Sequence, residues 1–317
     1  MKMRQLGRTG LQVSPLCFGG NVFGWTIDKQ RSFEVLDAFV DAGCNFIDTA
    51  DVYSAWAPGN KGGESETIMG EWLRARGHRN RLVIATKVGS EMGPGKKGLS
   101  RGWIAQAVED SLKRLQIDVI DLYQSHWDDP ETPFEETLAA YDRLIKAGKV
   151  RYIGASNLNA ERLGEALAVA AKTGLPRYET LQPEYNLSVR SSFEGPLQQL
   201  CVDQGIGVIT YFSLASGFLT GKYRSPADFG KSARGEGMAK YLDDRGQRIL
   251  KALDDVAATH KATPAQVALA WLMTRPAVVA PIASATTKAQ LADLVGSTAL
   301  SLDAASLAAL DRASAPA

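Results

Sequence analysis

Eight short β-rich runs, each followed by a stretch of helical period, constrain this 317-residue chain more than any other feature. They are LCFG near residue 16, CNFID near 44, LVIAT near 82, VIDLY near 119, VRYIGA near 150, YETLQ near 178, GVIT near 207 and VVAPI near 278. Between them the punctuation is helical. Ser100 stands as a cap ahead of Trp103, Ile104, Ala107, Val108, Ser111, Leu112 and Leu115, a spacing that keeps one face buried. Thr263 and Gln266 have the capping-box pattern, Pro133 and Pro264 sit where a first turn tolerates proline, and Gly43 and Gly148 fall where helices should end. Strand-then-helix repeated eight times predicts an α/β chain whose parallel sheet closes into a (β/α)8 barrel. Length by simple division suggests two domains, yet barrels of this type routinely exceed that size as one unit, so residues 1–317 read as a single domain. The competing architecture is an open doubly wound sheet, and no GxGxxG follows the first strand, where that fold places its phosphate turn. Two pieces stand outside the repeat: MRQLGRTGLQVS, read as a hairpin turning at Gly7 to Gly10, and an extra helical C-terminus from about 303. The stretch 223–241, rich in Ser, Gly, Lys and Arg, reads as a long mobile loop before a helix from Asp243.

Charge narrows the partners. With 36 Lys plus Arg against 35 Asp plus Glu and no basic block, electrostatics argues against nucleic acid and anionic membrane and for a small ligand. The N-terminus MKMRQLGRTG has no apolar stretch of signal-peptide length, and no run approaches a membrane span, so a soluble, cytoplasmic chain is the expectation. Cys17, Cys44 and Cys201 are far apart in apolar surroundings and read as buried thiols; with three histidines and no ligand spacing, no metal site is expected. The sequence carries no signal for an oligomeric state.

In a barrel the chemistry belongs at the C-terminal ends of the strands. The run NFIDTADVY, residues 45–53, empties into Asp48 and, shortly after, Tyr53. Lys87 follows the third strand, His126 and Trp127 the fourth, Ser156 and Asn157 the fifth, Gln182 the sixth and Tyr211 the seventh. Any one of these could be structural, but together they describe one reaction. A carbonyl that accepts a hydride needs a proton on its oxygen, and a phenol with a free pKa near ~10 is a poor acid–base group at neutral pH. A lysine cation about 4 Å away, at an effective dielectric near ~20, favours phenolate by roughly 4 kcal/mol, about three pK units as an upper figure. That predicts Tyr53 as proton donor with its pKa lowered by Lys87, Asp48 holding the lysine, and His126 donating to the carbonyl oxygen. No serine elbow of the G-x-S-x-G type is apparent for a hydrolase.

The hydride donor needs a site as well. Barrels often hold phosphates after strands seven and eight, where free amides and helix dipoles favour anions. Here those loops are SLASGFLTGKY, 213–223, offering Ser213, Leu214, Gly217 and Lys222, and ASATTKAQL, 283–291, offering Ser284, Lys288 and Gln290. Tyr211 could stack on a nicotinamide, with Ser156, Asn157 and Gln182 holding its carboxamide.

These blocks resemble the aldo-keto reductases, in particular their bacterial aryl-aldehyde reductase and potassium-channel β-subunit branch. GCNFIDTADVY looks like the family's first signature, RLQIDVIDLYQSHW its second, and GKVRYIGASN, LQPEYNL and SLASGFLTGKY its later blocks. The resemblance implies a catalytic tetrad of Asp48, Tyr53, Lys87 and His126, an extended nicotinamide cofactor at the mouth, and metal-free reduction of aldehydes or ketones, usually with NADPH. Channel β-subunits carry asparagine at the histidine position, so His126 favours a reductase over a regulatory subunit.

The departures are specific. Ser213 stands where the family often has proline, and Thr286 and Gln290 stand where many relatives place an arginine for the 2′-phosphate, leaving Lys288 as the nearby cation. Lysine is a point charge without the guanidinium fork, so NADP(H) is expected with NAD(H) also accepted. Trp25, Trp56 and Trp127 in the mouth loops, with Phe229 and Tyr241 in the long loop, suggest an apolar or aromatic carbonyl compound, or its alcohol in reverse.

Overall fold

The computed structural model describes residues 1–316. A two-strand antiparallel hairpin comes first, β1 (Arg4–Gln5) and β2 (Gln12–Val13). The repeat follows: β3 (Cys17–Gly19), α1 (Lys29–Asp41), β4 (Phe46–Asp48), α2 (Glu64–Arg76), β5 (Val83–Val88), α3 (Arg101–Leu115), β6 (Ile120–Ser125) and α4 (Phe134–Lys146). It continues through β7 (Val150–Ser156), α5 (Ala160–Thr173), β8 (Thr180–Gln182), α6 (Pro196–Gln204), β9 (Gly207–Thr210), α7 (Asp244–His260), α8 (Pro264–Met273) and β10 (Val278–Ala283). The chain then runs through α9 (Lys288–Gly296) and α10 (Ala304–Ala313). Strands β3 to β10 are all parallel and close into a barrel, β10 pairing with both β9 and β3.

Local chemistry sets the helix ends. Asp28, Ser100, Asn159, Asp243 and Asp303 each cap a helix by accepting from the backbone amide three residues on. Thr263 and Gln266 form the expected capping box, and Gly43 and Gly148, at φ +80° and +72°, follow the last turns of α1 and α4.

Strand parity sorts the core into two layers. Outward residues such as Phe18, Ile47, Ile84, Tyr123, Ile153, Leu181 and Val208 pack with the helix faces. Inward residues Cys17, Phe46, Val83, Ala85, Leu122, Ile209, Ala280 and Ile282 form a separate cluster with Leu6, Leu11 and Val13 of the hairpin. The hairpin therefore closes the N-terminal end of the barrel. It sits so tightly there that a Cβ on Gly207 would lie 2.5 Å from the backbone nitrogen of Gly7, so glycine is required where β9 begins.

The stretch 223–241, expected as a long loop, folds instead into two 3-10 turns, Pro226–Lys231 and Gly235–Tyr241. Ser225 and Asp228 form a capping box on the first, and Met238 and Tyr241 of the second are buried, the tyrosine stacked on Phe218 at 5.1 Å. Polar composition concealed these two apolar anchors. No single helix among the described residues is long and apolar enough to cross a membrane.

Candidate active site

Two residues above the apolar plug, the same inward positions turn polar. Parity carries Phe46 to Asp48, Ala85 to Lys87 and Leu122 to Gln124, all three polar side chains being essentially unexposed. Adjacent registers set Lys87 beside Gln124. The Lys87 ammonium donates to Asp48 Oδ2 at 2.6 Å, to the Thr49 carbonyl at 2.8 Å and to the Tyr53 hydroxyl at 2.8 Å. Asp48 Oδ1 accepts from the amides of Gln124 and Gln182, each at 3.0 Å. Every donor of the buried cation and both carboxylate oxygens are thus partnered, the condition under which a buried ion pair is tolerable.

Electrostatics corrects one expectation. Burial pushes the Tyr53 phenol above its ordinary value, with Lys87 opposing and Asp48 adding to the rise, so lysine does not bring the group down to neutral pH. Tyr53 therefore keeps its proton at pH 7, the state a proton donor needs. Lys87 remains a cation: burial opposes its charge, but Asp48 and Tyr53 outweigh that and raise its pKa. Burial, then Lys87, holds His126 well below the usual imidazole range, and the ring is neutral.

A neutral imidazole donates from one nitrogen only, and the Nδ1 side of His126 meets a short relay. The Trp127 indole N–H donates to Ser90 Oγ at 3.2 Å, and Ser90 Oγ lies 3.0 Å from His126 Nδ1. The Ser90 hydroxyl can donate its hydrogen bond to Nδ1, and in that arrangement the imidazole proton sits on Nε2. Trp127 also stacks on His126 at 5.7 Å, and the His126 ring lies 6.0 Å from that of Tyr53.

The expected nicotinamide residues form one network. Ser156 Oγ donates to the Gln182 carbonyl at 2.7 Å, Asn157 Nδ2 to the His126 carbonyl at 2.9 Å, and the Tyr211 hydroxyl to Asn157 Oδ1 at 2.8 Å. Gln182 is further committed through its Nε2 to Asp48 and to Gln124. It is thus a support of the ion pair as well as a candidate cofactor contact.

The loop after β9 is backbone-strained. Phe212, Ala215, Ser216 and Gly217 all have positive φ, at 48°, 46°, 56° and 102°. Within it the Ala215 amide donates to the Phe212 carbonyl at 2.6 Å and the Gly217 amide to the Leu214 carbonyl at 2.8 Å. The amides of Ser213 and Leu214 have no protein acceptor among the described residues, and a Cβ on Gly217 would lie 3.3 Å from the Lys222 side chain. Two amides without an acceptor beside a lysine are suited to an anion such as a pyrophosphate. The Ser213 hydroxyl is buried and tied to Thr210, so its amide rather than its side chain is available.

After β10, Ser284 Oγ is engaged with the Gly19 carbonyl and Asn21 Oδ1, both at 2.7 Å, tying this loop to that after β3. Gln290 Oε1 accepts from the amide and hydroxyl of Thr286, each at 2.8 Å, at the start of α9. Lys288 takes part in no ion pair among the described residues.

Aromatic side chains line the mouth. Trp56 meets Tyr53 edge-on at 5.9 Å and Trp25 at 5.6 Å. Trp56 and Trp127 are about half exposed, as apolar rim groups rather than core. Tyr241 and Phe229 pack into the main core instead and do not join this wall. Gln124 and Ser90 were not singled out from sequence. Parity from His126 back along QSH could have found Gln124; nothing in the sequence marks Ser90.

With this geometry in place, comparison with known proteins identifies the family. The aldo/keto reductase family model matches residues 15–315, and the chain belongs to that family. It is 37% identical to an uncharacterized oxidoreductase, YrpG, of Bacillus subtilis over 96% of this chain and 93% of that protein. It is also 37% identical to a probable voltage-gated potassium channel subunit beta of Oryza sativa over 92% and 90%, and 34% to the protein tas of Escherichia coli over 98% and 97%.

Proposed function

We propose that this oxidoreductase reversibly reduces an aldehyde or ketone to its alcohol, with hydride from NAD(P)H and the proton from Tyr53. The observation that carries the reading is the Lys87 ammonium bonded at once to Asp48 and to the Tyr53 hydroxyl, beneath a neutral His126. Bound nicotinamide supplies the hydride. Tyr53 holds a proton at its hydroxyl for the carbonyl oxygen, and Lys87 stabilises the phenolate that remains. His126 donates from Nε2 to the same oxygen and orients the carbonyl. Ser156, Asn157, Gln182 and Tyr211 would hold the nicotinamide, with the Ser213 and Leu214 amides and Lys222 on the pyrophosphate, Gly217 leaving room for its approach, and Ser284, Lys288 and Gln290 at the far phosphate. Trp25, Trp56 and Trp127 would take the organic portion of the substrate. Lys288, a nearby cation without the guanidinium fork, supports NADPH with NADH accepted.

The rice relative named a channel β-subunit supports a second reading, a cofactor-bound regulatory subunit. Turnover of 4-nitrobenzaldehyde separates the two. Steady oxidation of NADPH, and slower oxidation of NADH, is expected; cofactor binding without turnover would favour the regulatory role.

A further inference from the structure

Four carboxylic side chains are buried among the described residues, those of Asp48, Asp51, Glu66 and Asp121. Three have partners on both oxygens. Asp48 has Lys87, Gln124 and Gln182. Glu66 accepts from the Thr86 hydroxyl at 2.5 Å and from Arg114 Nε at 2.7 Å, and Asp121 from the Ile84 amide, Arg79 and Arg151.

Asp51, only 1% exposed, has no hydrogen-bond partner on either oxygen. The Val52 amide approaches it without hydrogen-bond geometry. Two cations are near enough to act on its charge, Lys87 of β5 and Arg114 of α3, but neither donates to it: Lys87 serves Asp48, Thr49 and Tyr53, and Arg114 serves Glu66 and Ser111. Glu66 of α2 opposes a second negative charge. The Tyr123 and Tyr141 phenols, on β6 and α4, complete the titratable surroundings, and both keep their protons far above neutral pH. An unbonded ion in such a place is costly, and a neutral acid far less so.

Asp51 also lies in the turn that joins Asp48 to Tyr53. That turn is seated on β5 by the Thr49 amide on the Ala85 carbonyl at 2.9 Å, the Asp51 amide on the Lys87 carbonyl at 3.3 Å and the Lys87 ammonium on the Thr49 carbonyl at 2.8 Å. The Tyr53 amide closes it on the Ala50 carbonyl at 3.3 Å. An ionised Asp51 gains most by reaching water, and moving its side chain outward strains the turn that sets Tyr53 on Lys87.

We propose that Asp51 is a positioning residue for carbonyl reduction: as a neutral acid it lets the turn hold the Tyr53 hydroxyl on Lys87, and as a carboxylate it loosens that turn. The assignment rests on the reductase reading and adds to it a basic limb that Tyr53 itself does not set. Burial, and then Glu66, push the Asp51 carboxyl up to about 8, whereas Tyr53 and Lys87 are raised above their ordinary values and His126 is held well below its own.

The dependence of kcat on pH, from 6 to 10 with 4-nitrobenzaldehyde and saturating NADPH, tests this in the parent and in Asp51→Asn. The parent should lose about tenfold between pH 7 and 9, the span of one ionisation centred near 8. Asp51→Asn, whose side chain stays neutral, should lie within about threefold of the parent at pH 7 and hold its rate to pH 9. A basic limb near pH 8 that survives in Asp51→Asn, or that the parent lacks, overturns the assignment. So does a variant slowed equally at every pH, which would make the residue structural only. Amide exchange in residues 49–54, corrected for the intrinsic rate at each pH, needs neither turnover nor the variant: protection in the parent should fall about tenfold per pH unit between pH 5 and 7. Constant protection there refutes the proposal. If the parent reduces no aldehyde, the reductase reading fails separately, and exchange alone decides whether Asp51 governs the turn.

Discussion

At the N-terminal end of the barrel, Phe46, Val83 and Leu122 pack with Leu6, Leu11 and Val13 into an apolar plug. Two to four residues further along the same strands, Asp48, Lys87 and Gln124 hold a fully partnered ion pair. One end gains stability from each methylene it buries; the other bears the cost of buried charge and offsets it with complete hydrogen bonding. Stability and activity should therefore separate along the strand axis, and mutations can break or sharpen that division.

The largest effect should come from Lys87→Met, which violates the division. It removes the partner of both Asp48 and Tyr53, so carbonyl reduction should fall by about three orders of magnitude or more. The uncompensated Asp48 should also cost about 3–5 kcal/mol of stability in a denaturant titration. Loss of activity with unchanged stability would show that the carboxylate finds water instead. Leu6→Ala should honour the division: about 3 kcal/mol lost on unfolding, with kcat and KM unchanged at a temperature where the barrel remains folded. An altered KM there would mean that the plug sets the mouth's geometry.

Asp51 refines the comparison, because it lies just past Asp48 and lacks what Asp48 has. Neither of its buried carboxylate oxygens has a partner. Burial, and then Glu66, push its carboxyl up to about 8. An unfolded aspartate titrates near ~3.9, so the folded state binds the proton more tightly. The stability this gives is complete below about pH 4 and is lost as pH rises through about 8. Asp51→Asn should therefore raise stability by about 2 kcal/mol at pH 8.5 and change it little at pH 4, read from urea midpoints at the two pH values. An equal shift at both would exclude titration of Asp51 as the cause.

A smaller effect is expected from Ser90→Ala, which removes the hydroxyl between Trp127 and His126 Nδ1. With the Nδ1 partner gone, kcat should fall by about 3- to 10-fold, roughly the value of one neutral hydrogen bond, while the KM for NADPH stays put. No change in kcat would show that stacking on Trp127 alone sets the ring.

Much of this was legible in the sequence because it is periodic or sits at a strand end. The eight runs from LCFG to VVAPI, the caps at Ser100 and Thr263, and the hairpin turning at Gly7 all have local causes, and all are present. Asp48, Tyr53, Lys87 and His126 could be named because barrel topology gathers strand ends. What was illegible depends on three-dimensional environment. Burial of the Tyr53 phenol reverses the pKa direction expected from Lys87 alone. Gln124 and Gln182 serve Asp48 only through closure of the barrel, and Met238 and Tyr241 anchor a stretch whose composition reads as loop.

The central claim is that Tyr53 supplies the proton from the mouth without contributing to the fold. Tyr53→Phe removes one hydroxyl, and three readings on that variant test the claim together: urea unfolding, NADPH affinity and the rate of 4-nitrobenzaldehyde reduction. The account predicts unfolding within about 1 kcal/mol of the parent, unchanged NADPH affinity and a rate lower by about two to four orders of magnitude. A rate within about threefold of the parent, with fold and cofactor binding intact, would contradict it.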